Sequence, residues 1–355
     1  MRLFQRYLAL GLLSVTVLGA ACAKKASNPT APTPPQYNGA MLASLNQIGV
    51  PMLRSGFHSG PDSGKFDLAV LALNYDDNAY WLSTTNCRMK WYVPFKDGSG
   101  KGYTVTLDSV TSRTPTLHTI CVHMLMDGSG SLSSSDATRQ RGGAGKLFVT
   151  KLIRKNPNNL MAVAEFGRFD VPNFDWYLWK DFAPVSDSIN FFHAFDALGD
   201  SLTTPMYSAV HRALSWTNQW VSPASYNRAI LLFTDGMDNS SEPGDNLSSV
   251  SALAVSLGIP VYAVGLSTNP GDVDDASLTA LAFNTGGIYA KANNPADLRS
   301  IFGVMAAGMT NGYNVLTAHI SPVPPSGTAL VLETTAIDQA DTTNKKSIVS
   351  SYAIP

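Results

Sequence analysis

In the stretch "CVHMLMDGSGSLSSSD", residues 121–136, a largely apolar run ends at a carboxylate, Asp127. Two evenly spaced hydroxyls, Ser129 and Ser131, follow it. The apolar run predicts a strand buried on both faces, as in a parallel sheet. A flexible Ser-Gly linker would not follow directly on a buried strand. The glycines between Asp127, Ser129 and Ser131 instead allow a tight loop that turns both hydroxyls inward.

Strand and helix patterns alternate over residues 117–309, a region that begins with this stretch. The segments "NLMAVAEFG" and "RAILLFTD" are typical of buried strands, and "TPMYSAVHRALSWTNQW" has the apolar spacing of a helix that begins near Pro205. Fully apolar strands that alternate with amphipathic helices indicate a sheet covered on both faces. We therefore predict an α/β domain over residues 117–309, with a doubly wound, mostly parallel sheet flanked by helices.

The regions before and after this domain are rich in strand patterns. Residues 39–116 contain "FDLAVLALNY" and "YTVTLDSV", and residues 310–355 contain "YNVLTAHISPVP" and "TALVLETTAI". We expect these two flanks to pack together as a small, sandwich-like β region, with the α/β domain inserted between them.

The N-terminus indicates export. Residues 1–21 carry Arg2 and Arg6, then an apolar run, then small residues before Cys22, which is the layout of a signal peptide. A cysteine at this position resembles a bacterial lipoprotein lipobox, although Gly19 stands where a larger apolar residue is usual. We expect lipidation at Cys22, a flexible linker over residues 22–38 and a cell-envelope location, at the outer membrane or cell surface. Ordinary cleavage to give a secreted protein is the alternative.

The composition of the chain excludes several classes of function. Its 355 residues are 45% hydrophobic and 14% charged, and the formal net charge is -1. These values describe a folded protein and argue against nucleic acid as a partner. The Gly-Lys pairs lack the full phosphate-loop pattern, so no nucleotide is implied, and neither G-x-S-x-G nor H-E-x-x-H occurs. We predict that the chain is not an enzyme.

Two further cysteines, Cys87 and Cys121, follow Cys22. In an oxidising compartment they can form a disulfide between the N-terminal flank and the first strand of the α/β domain. Two separate buried thiols are the alternative.

Acidic side chains close two of the predicted strands. Asp127 ends one strand and Asp235, in "RAILLFTDGMDNS", ends another. Because ligands of open parallel sheets bind beyond the carboxyl ends of the strands, we expect the two carboxylates to share one site with Ser129 and Ser131. An all-oxygen set favours a hard divalent cation, with Mg²⁺ expected first and Ca²⁺ or Mn²⁺ as alternatives.

These residues resemble the von Willebrand factor A (VWA) family. Its metal-ion-dependent adhesion site (MIDAS) consists of a D-x-S-x-S loop, a distant threonine and a distant aspartate. Thr204 lies in "LTTPMYSAVHRAL", which is similar to the family's T-P-L-Y-x-A stretch, 77 residues after the loop aspartate. The resemblance implies the metal ligands Asp127, Ser129, Ser131, Thr204 and Asp235. Asp238 is not expected to be a ligand.

The resemblance implies binding rather than turnover. The metal would leave one coordination position open for an Asp or Glu carboxylate of a protein or surface ligand, as in adhesion. The alternative is a structural docking component of an envelope assembly, in which the metal only stabilises the loop. Two other signals are interpreted as structural: the acidic runs "GDVDDAS" and "NYDDNAY" as caps rather than calcium sites, and the aromatic group around Trp176 and Trp179 as a strand on the sheet or at its edge.

Overall fold

The computed structural model describes residues 41–91, 102–167, 176–200, 203–269 and 271–354. The predicted signal peptide, the linker and Cys22 lie outside these ranges. Among the described residues, no helix combines the length and apolarity that crossing a bilayer requires.

A six-stranded sheet forms the centre of the α/β region, and its strand order is β11-β10-β9-β6-β7-β8. The first five strands are parallel to one another, and β8 pairs with β7 in the antiparallel direction. This arrangement confirms the predicted mostly parallel sheet. Its strands are β6 (Ile120–Asp127), β7 (Leu160–Phe166), β8 (Tyr177–Pro184), β9 (Asn227–Thr234), β10 (Val261–Leu266) and β11 (Tyr289–Ala292).

Helices cover both faces of this sheet. Their bounds are α1 (Leu132–Ser135), α2 (Gln140–Lys155), α3 (Ser188–Asp196), α4 (Met206–Trp220), α5 (Leu247–Leu257), α6 (Asp275–Thr285) and α7 (Leu298–Asn311). Helices α2, α3 and α7 share one apolar core with Val122, Met124 and Met126 of β6. Helices α4, α5 and α6 share another with Leu125, which points to the opposite face as the two-residue period of a strand requires.

Strands from both flanks pair in two further antiparallel sheets. They are β1 (Leu42–Gln47), β2 (Met52–Leu53), β3 (Lys65–Asn74), β4 (Cys87–Trp91), β5 (Thr104–Arg113), β12 (Tyr313–Ser321), β13 (Ala329–Ile337) and β14 (Lys345–Ala353). Strand β12 lies between β3 and β5, and β13 lies between β4 and β14. Buried residues of both sheets form one core, so the two flanks pack together as expected. The residue boundaries assigned to these regions stay predictions.

The two described cysteines are separate free thiols. Cys87 lies in β4 and Cys121 in β6, and both are buried. The disulfide considered between them is not formed, because the two strands belong to different sheets: Cys87 lies in the core shared by the two flanks, and Cys121 lies in the central sheet. Burial raises the pKa of the Cys87 thiol to about 12 and also raises that of Cys121.

Local hydrogen bonds stabilise both acidic runs, but an aspartate is the cap in only the first of them. In "GDVDDAS" the cap of α6 is Asp274, whose Oδ1 accepts from the Ser277 backbone N–H at 2.9 Å, and Asp275 is the first helical residue. In "NYDDNAY" the Asn74 side chain accepts from the backbone N–H groups of Asp76 and Asn78. The aromatic residues that follow Trp176 lie on β8, at the edge of the sheet, as predicted.

Candidate metal centre

The candidate site lies at the topological switch point of the central sheet, where the order in which successive strands are added reverses. From β6 the chain proceeds to β7 on one side, and β9 lies on the other side of β6. Asp127 is the last residue of β6, and Asp235 follows β9 directly. Both carboxylates therefore emerge at the carboxyl ends of neighbouring parallel strands, where such sheets form a crevice.

Asp127 is fully buried, and protein groups orient both of its carboxylate oxygens. Oδ1 accepts from the Ser129 backbone N–H at 2.7 Å, which closes the loop two residues after the strand. Oδ2 accepts from the Thr234 hydroxyl at 2.6 Å, across the β6–β9 pair. Thr234 was not identified from the sequence, since its contact depends on the register of two strands that are distant along the chain.

Asp235 receives hydroxyl groups from the loop that follows β6. Its Oδ1 accepts from Ser131 Oγ at 2.7 Å and from Ser129 Oγ at 3.3 Å, and these two hydroxyls lie 3.1 Å apart. Its Oδ2 accepts from the Ser135 hydroxyl. Ser135 was not predicted as a site residue, although its position one helical turn after Ser131 was an available signal.

Thr204 lies beside this cluster, immediately before α4, and is 4% exposed. Its backbone N–H donates to Asn239 Oδ1 at 2.8 Å, and its carbonyl accepts from the Asn239 N–H at 3.1 Å. A Cβ added at Gly236 would lie 3.4 Å from Thr204 Oγ1, so the hydroxyl borders the loop that follows Asp235. Within the described ranges, this hydroxyl forms no hydrogen bond with Asp127 or Asp235.

Asp238 has a different role in the same loop. Its Oδ1 accepts from the Tyr207 backbone N–H at 3.2 Å and from the Ser241 hydroxyl at 2.5 Å. Since free N–H groups at the start of a helix need acceptors, this carboxylate stabilises the start of α4. Its omission from the expected ligands stays a prediction.

Electrostatics at the two carboxylates favour a bound cation. Burial, and next the charge of Asp235, raise the pKa of Asp127 to about 7. Burial also raises the pKa of Asp235. In the part of the chain that the structure covers, no basic side chain forms an ion pair with either carboxylate. Two buried acids without a paired base create a demand for positive charge.

The donor set fits a hard cation better than a soft one. Nowhere in the described ranges do three or more His, Cys, Asp or Glu side chains come together as a metal cluster. The candidate site instead brings two carboxylates together with the Ser129 and Ser131 hydroxyls, and the Thr204 hydroxyl borders the loop that follows Asp235. Oxygen donors of this kind suit Mg²⁺, Ca²⁺ or Mn²⁺.

The structure also places Glu165, the penultimate residue of β7, against the segment 128–136 that follows β6, which we call the metal loop. Glu165 is fully buried, and a Cβ added at Gly128 would lie 2.5 Å from its Oε1. The carboxylate accepts from Trp179 Nε1 at 2.7 Å and from the Gly199 backbone N–H at 2.6 Å. Gly128 is therefore required because the loop passes too close to Glu165 for a larger residue.

Comparison with known proteins gives a family match over the region that contains the site. The sequence profile of the von Willebrand factor type A domain matches residues 122–304. No curated protein sequence matches the chain significantly.

Several solved structures resemble parts of the chain at low sequence identity. A von Willebrand factor type A protein from Catenulispora acidiphila is 14% identical, with a TM-score of 0.46, over 76% of this chain and 72% of that chain. The vWF domain of the type V pili tip protein Mfa5 from Porphyromonas gingivalis is 14% identical, with a TM-score of 0.41, over 54% of this chain and 94% of that chain. Proximal thread matrix protein 1 from the mussel byssus, with a zinc-occupied MIDAS motif, is 15% identical, with a TM-score of 0.40, over 59% and 50%.

Proposed function

The chain belongs to the von Willebrand factor type A family, and we propose that it is an interaction protein that binds a divalent cation at Asp127, Ser129, Ser131, Thr204 and Asp235. Through this cation it would hold a carboxylate of a protein or surface ligand. The observation that carries the proposal is the pair of buried, unpaired carboxylates at the switch point of the sheet, with serine hydroxyls directed at Asp235. Mg²⁺ is the expected ion, and Ca²⁺ and Mn²⁺ are the alternatives.

The protein groups prepare the site for binding rather than for turnover. Thr234 and the Ser129 backbone fix the orientation of Asp127, while Ser135 fixes Asp235. Neutral hydroxyls supply the remaining three donors, so the two carboxylates are the only charged groups among the proposed ligands. When bound, the cation supplies residual positive charge that attracts an incoming carboxylate.

Titration calorimetry tests the metal site directly. Mg²⁺, Ca²⁺ and Mn²⁺ are titrated into the purified, chelator-treated protein, with the Asp127→Ala variant in parallel. We expect saturable 1:1 binding by the wild type and its loss in the variant. A folded wild type that binds none of the three ions would refute the metal mechanism.

A carboxylate probe tests the open coordination position. Saturation-transfer NMR would measure the binding of acetate to the protein with Mg²⁺ and again with excess chelator. We expect transfer to acetate only when Mg²⁺ is present. Metal binding without metal-dependent acetate binding would instead favour the alternative function, a docking component of an envelope assembly in which the metal only stabilises the loop.

We also propose that the protein is exported and anchored to the cell envelope by a lipid at Cys22. The signal-peptide layout of residues 1–21 supports this location. The Cys22→Ser variant is expected to lose incorporation of labelled palmitate and to move from the membrane fraction to the soluble fraction. Unchanged membrane association of this variant would refute the anchor.

A further inference from the structure

An arginine side chain is completely enclosed beside the metal centre. Arg141, in the first turn of α2, is 1% exposed and is among the largest fully buried side chains of the described chain. Such burial is rare for arginine and requires partners for the charge. Nη1 donates to Asp136 Oδ2 at 3.1 Å, and Nη2 donates to the Gly199 carbonyl at 2.9 Å and to Asp200 Oδ1 at 2.5 Å.

The first partner, Asp136, belongs to the loop that carries the metal ligands. It follows α1 directly, and the preceding residue, Ser135, donates to Asp235. Asp136 is fully buried, and its carboxylate also accepts from the backbone N–H groups of Gln140 at 2.7 Å and Arg141 at 3.1 Å. Its position therefore determines where the metal loop ends and where α2 begins.

The other partners, Gly199 and Asp200, belong to the segment that leads to Thr204. Gly199 is held from two sides, since Arg141 binds its carbonyl and Glu165 accepts its N–H at 2.6 Å. Glu165 in turn lies against Gly128 of the metal loop. Two buried charges of opposite sign thus connect the D-x-S-x-S loop to the chain five residues before the distant threonine.

We propose that Arg141 is a positioning residue of the metal centre, which fixes the loop of Ser129 and Ser131 relative to the segment that carries Thr204. This inference rests on the proposed metal-binding function. Arg141 does not bind the ion. It determines the separation of two ligand groups that are far apart in the sequence, and its planar guanidinium contacts both segments at once.

The direction in which a substitution of Arg141 changes Mg²⁺ affinity distinguishes a positioning role from a purely electrostatic one. The guanidinium pairs with Asp136, and the residue before it, Ser135, donates to Asp235, so the positive charge of Arg141 also opposes a cation bound nearby. If charge were its only influence, replacing Arg141 with a neutral residue would strengthen Mg²⁺ binding. If it positions the ligands, the same replacement weakens binding.

The experiment measures Mg²⁺ affinity by calorimetry for the wild type, Arg141→Met, Arg141→Lys and Arg228→Met, each with its thermal unfolding midpoint in chelator. Arg228 is the matched control. It is a second buried arginine at the start of β9, 7% exposed, with bonds to Asn218, to the Val221 carbonyl and to the Leu257 carbonyl. It lies at the end of β9 opposite to Asp235, so its loss destabilises the fold without contact with the metal centre.

We expect Arg141→Met to bind Mg²⁺ about tenfold more weakly than the wild type, within the range known for groups that orient metal ligands. Arg141→Lys keeps the charge but not the planar fork, so it is also expected to bind more weakly, whereas Arg228→Met stays within about twofold of the wild type. A folded Arg141→Met with unchanged or tighter binding would overturn the inference, as would equal weakening in Arg228→Met.

Two further outcomes are defined. If Arg141→Met does not fold, Asp200→Asn replaces it, because this change weakens the contact between Arg141 and the segment before Thr204 while it leaves the Arg141–Asp136 pair intact. Asp200 also pairs with the more exposed Arg139 at 3.7 Å, so Arg139→Met is the control for that second contact. Unchanged Mg²⁺ affinity in Asp200→Asn would also overturn the inference. If the wild type binds no Mg²⁺, the proposed function fails, and the inference fails with it. A wild type that binds and an Arg141→Met that binds equally well refute the inference alone.

Discussion

Metal binding by this protein is expected to depend strongly on pH, because the metal competes with a proton on Asp127. Burial and the neighbouring charge of Asp235 raise the pKa of the Asp127 carboxyl to about 7 in the metal-free protein. A coordinating carboxylate must be deprotonated, so Mg²⁺ releases this proton on binding. Lowering the pH below 7 therefore weakens the apparent affinity.

The size of this effect follows from the position of the pKa. Well below a pKa of 7, each unit of pH lowers the apparent affinity about tenfold, since one proton is displaced for each ion bound. Near pH 8 the carboxyl is mostly ionised and the cost is small. Between pH 8 and pH 5 we therefore expect a loss of roughly a hundredfold in Mg²⁺ affinity, which corresponds to about 2.7 kcal/mol of binding free energy.

Calorimetry at pH 8, 7, 6 and 5 measures this dependence, and repeating the pH 6 titration in two buffers of different ionisation enthalpy counts the protons released. Thr234→Val is the matched variant: it removes the hydrogen bond that lowers the pKa of Asp127, so its affinity is expected to fall at a higher pH than in the wild type. A wild-type affinity that changes less than about threefold between pH 8 and pH 5 would refute the reasoning, because Asp127 would then be ionised throughout.

Three further predictions concern stability and reactivity. Asp127→Asn is expected to stabilise the metal-free protein at pH 8 by up to about 4 kcal/mol in urea unfolding. The raised pKa of Asp127 means that the folded state binds a proton more tightly than the unfolded state does. The wild type therefore loses stability as the pH rises from about 4 to about 7, and the neutral asparagine avoids that loss. Gly128→Ala is expected to lower the free energy of unfolding by about 1–3 kcal/mol, because the new Cβ would meet the buried Glu165 side chain. Alkylation of Cys87 and Cys121 by iodoacetamide, followed by peptide mass spectrometry, is expected only after denaturation, because both thiols are buried and their pKa values are raised.

Each of these predictions has a control. Saturating Mg²⁺ should stabilise the wild type but not Asp127→Asn, and equal stabilisation of both would contradict the role of Asp127. Gly143→Ala, within α2, places its Cβ 3.6 Å from the end of the Arg299 side chain and meets nothing nearer outside the helix, so it should leave stability unchanged or slightly increased. Rapid native alkylation of either cysteine, or a disulfide-linked peptide without reductant, would contradict the buried free thiols.

The sequence by itself was enough for the central sheet and for the position of Asp127 and the serines that follow it at the edge of that sheet. A largely apolar run such as 121–126, next to other strand and helix patterns, is typical of a strand buried on both faces, and Asp127 ends that run at the point where the chain leaves the core. The positions of Ser129 and Ser131 follow from the same local order. Local periodicity and strand ends are properties of short segments, so they can be predicted without knowledge of the rest of the fold.

The strand ends predicted that Asp127 and Asp235 would meet, but only the tertiary structure decided which further distant groups contact them and how the strands of the two flanks pair. Ser135 and Thr234 contact carboxylates about a hundred residues away, and Arg141 meets Gly199 across a separation of 58 residues. Cys87 and Cys121 are kept apart because β4 pairs with a strand from the C-terminal flank, not with the central sheet. These contacts depend on strand order and register, which arise from the packing of the whole chain and leave no periodic pattern in the sequence.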